Sequence, residues 1–120
     1  MSDIQSIQFL LEDPRSDAEI ISAMGAAVDV QFETLDHQLP DAKGVIQTGL
    51  HEEGFRESCL ASWPGRRTTG AEQVARVLTA ELDVAVLVEK DDGEWLLAKP
   101  GQPVASVEVV ELDDGLDVAK

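Results

Sequence analysis

Residues 69–98 read TGAEQVARVLTAELDVAVLVEKDDGEWLLA, and a change of period inside that stretch decides the fold. Ala71, Val74, Ala75, Leu78 and Leu82 recur every three or four residues, which puts them on one face of a helix ending near Asp83. Thr69 and Glu72 stand in the capping-box relation at its start. From 84 to 88 the chain is continuously apolar, the mark of a strand buried on both faces. Asp92-Gly93 is a tight hairpin signal, and residues 95–98 are the return strand. A helix with one apolar stripe leading straight into a hairpin calls for helices layered on a mainly antiparallel sheet.

The same reading extends upstream. Residues 6–11 place Ile7, Phe9 and Leu11 on one face of a strand that stops at Glu12-Asp13-Pro14. Ser16 and Glu19 form a capping box before Ile20, Ile21, Met24 and Val28, a helix closing at 25–27. Val28, Val30 and Phe32 alternate with Asp29, Gln31 and Glu33 as a half-buried second strand, and 36–44 is a loop. Runs at 45–50 and 55–63 flank His51-Glu52-Glu53-Gly54 as an antiparallel hairpin. The last strand is 104–110. The expected fold is α+β, two helices packed on one mixed, mainly antiparallel sheet in the order β-α-β-β-β-α-β-β-β, with an echo of two α-β-β-β units. The length suits one domain over 1–112, followed by a loose acidic tail at 113–120.

Charge is the strongest functional signal. The chain has 24 Asp and Glu against 9 Lys and Arg, a net charge of −15 over 120 residues. The excess sits at both ends: residues 1–40 carry 8 acids and 1 base, 41–80 carry 5 and 5, and 81–120 carry 11 and 3. Such a field steers cationic surfaces into contact and repels nucleic acid and anionic membrane, so a basic protein partner is expected, with no direct nucleic-acid or membrane contact. Solubility is the plainer account of the same acidity. Cys59, the single cysteine, excludes an intramolecular disulfide and reads as a buried inert thiol, which fits a reducing cytoplasm. The N-terminal residues lack the basic, then apolar, pattern of an export signal.

No motif adds chemistry. His51-Glu52-Glu53 lacks the second histidine of a helical zinc site, and His37 with His51 would have only loosely placed carboxylates as further ligands, so neither a metal nor a cofactor is expected. Asp91-Asp92-Gly93-Glu94 lacks the alternating acids of a calcium loop and reads as a turn. The Arg66-Arg67 loop before a helix start could hold an anion. Ser58 and Cys59 share a hairpin with His51 but sit in no nucleophile elbow, and no catalytic residue is assigned.

The run from Glu81 to Val88, then Asp91-Asp92-Gly93-Glu94-Trp95-Leu96-Leu97-Ala98-Lys99-Pro100-Gly101, is similar to small acidic immunity proteins of bacterial polymorphic and contact-delivered toxin systems. The likeness covers about residues 70–112. It implies a non-enzymatic inhibitor that occludes the active site of a basic toxin domain. On that implication Glu52 and Glu53 at one hairpin tip, and Asp91, Asp92 and Glu94 at another, are the partner-binding residues, with Trp63 as apolar anchor and Trp95 in the core. The alternatives are a small-molecule-binding or regulatory α+β domain, and an acidic nucleic-acid mimic.

Overall fold

The computed structural model describes residues 4–65 and 69–119. Its elements are β1 (Ile4–Leu11), α1 (Asp17–Val28), β2 (Phe32–Glu33), β3 (Gly44–Leu50), β4 (Glu57–Pro64), α2 (Ala71–Leu82), β5 (Val86–Glu89), β6 (Trp95–Ala98), β7 (Ala105–Val107), β8 (Val109–Leu112) and β9 (Gly115–Val118). The expected α+β order holds through β7, and a further hairpin, β8–β9, follows it. Seven strands form one sheet in the order β2-β3-β4-β1-β5-β6-β7. Among the described residues only β2 and β3 pair in parallel, and every other neighbour in this sheet is antiparallel.

The alternation of β1, the central strand, sets the two layers. Its odd positions Ile7, Phe9 and Leu11 face the helices, opposite Ala61 and Cys59 of β4 and Val86 and Val88 of β5. With Ile20 and Met24 of α1 and Val74 and Leu78 of α2 they form the main core. Each such side chain contributes roughly 1.5–3 kcal/mol when fully buried. The helices pack on each other, α2 against β5 and β6, and α1 against β2. On the opposite face Leu10, Leu87 and Trp95 form a second cluster with Phe55, and Val109, Leu116 and Val118 of the terminal hairpin pack against it.

Several features differ from the sequence expectation. The first helix runs on through Val28, because Asp29 takes the left-handed conformation (φ 57°) and its N–H caps the carbonyl of Gly25 at 2.9 Å. Asp tolerates that backbone region better than most residues. The second strand is therefore only Phe32–Glu33, and Val28 and Val30 are not part of it. The Thr69–Glu72 box is not made: Gly70 is the N-cap of α2 with no side-chain cap, and Glu72, now in the first turn, pairs with Arg76 at 2.7 Å. The expected strand at 104–110 splits at Glu108, whose carbonyl accepts the Ala119 N–H at 2.8 Å as β9 returns.

The acidic end differs as well. Residues 115–118 are strand β9, paired with β8 from Val109↔Val118 to Leu112↔Gly115, rather than a loose tail. Leu116 and Val118 bury against the second cluster, an apolar pairing too short to stand out among Asp113, Asp114 and Asp117. The first capping box is present as read, with the Glu19 N–H donating to Ser16 Oγ and the Ser16 N–H to Glu19 Oε1. The two α-β-β-β units lay their strands in the same spatial order across the sheet. They differ in that β2 runs parallel to β3 whereas β5 runs antiparallel to β6.

Candidate functional site

The two acidic turns lie toward opposite ends of the sheet. Leu11 pairs with Glu57, so the β3–β4 tip carrying Glu52 and Glu53 projects past the Leu11 end of β1. Val88 pairs with Phe9, and β5 then continues toward Ile4, so the turn carrying Asp91, Asp92 and Glu94 lies near the other end. All five acids are exposed. The 91–94 turn is built as read: Gly93 takes φ 85°, the Lys90 N–H donates to the Glu94 carbonyl, and Lys90 Nζ lies 3.6 and 3.5 Å from Asp92 and Glu94. The Glu94 N–H donated to the Asp92 carboxylate, followed by the nearby Lys90 charge, holds that carboxyl below its usual range.

Trp63 is not a surface anchor. It is 4% exposed, faces the helices, and meets the Phe32 ring edge-on with centroids 5.8 Å apart. Strand parity explains this, since Trp63 shares its face of β4 with Cys59 and Ala61. Trp95 is buried in the second cluster, as expected for a core residue.

A different surface stands out. The terminal hairpin packs on the part of the sheet's back formed by Leu10, Leu87, Trp95 and Leu97 and borders the Ser58 end of β4, and the back of β3, of β4 beyond Ser58 and of the start of β1 is left open. Leu60, on a strand paired on both sides, is 40% exposed, and Val45 is 45% exposed. Cross-strand register puts Gln8 opposite Leu60, Leu60 opposite Gln47, and both Ser6 and Val45 opposite Ser62. No back-facing residue of these three strands is charged, although 28% of the chain is. The acids gather at its borders. A depression along the β2 side, about 480 Å³, is lined by Val45 and Gln47 together with Asp17, Glu33 and Asp36. Another, about 280 Å³, joins Ser6, Gln8 and Leu60 to Glu89, Lys90 and Asp91. In the sequence this face is marked only by Ser or Gln where a solvated strand of so acidic a protein would carry Asp or Glu.

At the far end of that face His51 is held rather than free in solvent. Its Nε2 lies 2.9 Å from Ser58 Oγ, and its Nδ1 is 3.8 Å from Asp114 Oδ1. Asp114 Oδ2 accepts the Glu52 N–H at 2.8 Å. The three side chains have the composition of an acyl-transfer triad. Ser58, however, is paired to Leu10 on one side and Gly49 on the other, a regular ladder position rather than the strained turn that presents a nucleophile. The contact works as a clasp between the β3–β4 tip and the terminal hairpin. Cys59 is buried, and burial drives its thiol far above the ordinary value, which leaves it inert.

Glu57 is the buried acid of the sheet, accepting the Arg15 N–H at 2.9 Å. Burial raises its carboxyl above the usual range, the Arg15 hydrogen bond opposes that, and Asp17 adds to it. A carboxyl that ionises less readily folded than unfolded lends stability at low pH, and that contribution is lost as pH rises through its folded value. Glu57→Gln keeps the acceptor for Arg15. It is expected to raise the urea midpoint at pH 7 and to change it little near pH 4, about where free glutamate protonates. A lower midpoint at pH 7 would show that the ionised carboxylate is net favourable.

Among the described residues no group of three or more His, Cys, Asp or Glu is arranged to hold a metal, and no helix is long and apolar enough to cross a membrane. His37 is joined to Thr34 by paired backbone hydrogen bonds, and the Arg66-Arg67 loop lies outside the described residues. The chain matches no family model, no curated protein and no solved structure, so each role given to a residue here rests on its chemistry and position.

Proposed function

We propose that this chain is a non-enzymatic cytoplasmic binding protein, in its most concrete form an immunity protein that neutralises a cognate basic toxin domain by occluding its active site. The charge carries this reading. Were every cation paired, the net charge of −15 would still stand as uncompensated carboxylates. Several cations are already engaged: Arg15 donates to the carbonyls of Leu82 and Asp83, Arg76 pairs with Glu72, and Lys90 sits between Asp92 and Glu94. A domain whose pocket is built for an anionic substrate offers the complementary surface, and opposite fields hasten their encounter. A nucleic-acid mimic would want carboxylates in rows, whereas the open sheet face has its acids only at the edges.

The immobilised chain is expected to retain one basic protein from a lysate of the organism that encodes it, through a high-salt wash. Stoichiometric addition of the chain should abolish that protein's activity. Retention of no basic protein, or an undiminished activity in its complex, would overturn the reading. One observation favours the small-molecule alternative: the depression lined by Asp17, Glu33, Asp36 and Val45 has the volume of a ligand site. A thermal-shift screen of small metabolites tests it directly.

A further inference from the structure

We infer that the open back of β3, β4 and β1 is the docking surface, and that its occupant is a basic protein domain presenting an apolar centre ringed by Lys and Arg. The inference rests on the proposed function and adds to it a place and a shape. Protein interfaces combine a core depleted of charge with a polar rim, because a charge buried without a partner is costly and a rim charge is not. Across this face Val45, Leu60, Gln47 and Gln8 form an uncharged centre. Glu33 and Asp36 border it along the β2 side, and Glu89 and Asp91 along the β5 side, where Lys90 lies between them but is engaged by Asp92 and Glu94.

Charge complementarity selects the occupant. A second copy of this chain would bring the same acidic borders against these, with −15 on each partner, and like charges facing each other across an interface oppose association. Nucleic acid meets the same repulsion. A cationic rim pairs with the acids while its apolar centre covers the exposed parts of Leu60 and Val45. The acids of the β3–β4 tip then act at a distance, on the encounter, while those bordering the face act in the bound state.

The test uses the full chain and the basic protein retained on it. Leu60→Arg and Gln47→Arg each place a positive charge in the centre, and Gln47 is exposed enough that folding is unaffected. Both variants should keep the wild-type circular dichroism and unfolding midpoint and lose at least about thirtyfold in affinity, the effect of disrupting an interface centre. Glu81→Arg, on the exposed side of α2, changes the charge by more and should cost only a few-fold. Wild-type affinity in both face variants, with the partner still inhibited, overturns the docking surface and leaves the proposed function standing. A dimer of the chain alone in light scattering, dissociated by Gln47→Arg, overturns the basic occupant in favour of a second copy. If no basic protein is retained at all, the occupant falls together with the proposed function.

Discussion

Gly115→Ala is expected to lift the terminal hairpin from the sheet and to lower the unfolding free energy by about 3 kcal/mol. Gly115 takes φ 150°, and a Cβ built on it would overlap the carbonyl oxygen of Glu53. Gly54, across the same crossing, takes φ 66°, and its Cβ would overlap the carbonyl oxygen of Leu116. Two backbones pass here at hydrogen-bonding distance: the Phe55 N–H donates to Leu116 O at 2.8 Å and the Glu53 N–H to Asp114 O at 3.3 Å. Both obstacles are backbone atoms, which cannot swing aside as a side chain would. Lifting the hairpin also uncovers Trp95, so acrylamide quenching of tryptophan fluorescence should rise in the variant below its unfolding midpoint. Gly54→Ala should behave alike, and the double variant should cost less than the sum, since either substitution alone already breaks the shared crossing. Unchanged quenching and midpoint would mean that the hairpin is not seated as described.

That crossing also shows where the sequence ceased to be legible. Periodicity found both helices and the strands of the main sheet, because each has a stripe or face long enough to register against its neighbours. Leu116 and Val118 make only one alternation, set among three aspartates, and their burial depends on Leu10, Leu87 and Trp95, residues far away in the chain. Composition cannot report such a partner. The boundary at Asp29 was hidden for a related reason: Val28 fits a helical and a strand pattern equally, and only the left-handed cap decides between them.

The candidate surface was illegible in a different way. Acids in turns were visible as acids, but whether two turns share an end of the sheet depends on strand direction, which is set by the placement of β1 between β4 and β5. With β1 central, the Glu52–Glu53 tip and the Asp91–Glu94 turn point apart, toward opposite ends of the sheet. The uncharged face emerges only when β3, β4 and β1 are laid side by side. Each strand alone shows a few Ser and Gln residues, while three adjacent strands show a continuous area without charge. Electrostatic reach and the proposed docking face thus come from different features of this chain, the first readable from composition and the second from register.

The same separation governs Trp63, whose removal should act on stability and not on recognition. Its ring lies edge-on to Phe32, and Gly44 makes room for that pair: a Cβ at Gly44 would overlap the Phe32 ring carbons. Phe32 is fully buried and belongs to β2, the shortest strand and the sheet's edge, so the aromatic pair is a main tie between that edge and the core. Trp63→Ala leaves a cavity under an edge with little backbone pairing to hold it, and a loss of about 3–5 kcal/mol is expected in urea unfolding. Trp63→Phe, which keeps an aromatic edge for Phe32, should lose much less. Affinity for the proposed basic partner, measured well below the midpoint of each variant, should stay within a few-fold of wild type because the ring points away from the open face. A small stability loss with a large loss of affinity would reverse the assignment and return Trp63 to the interface.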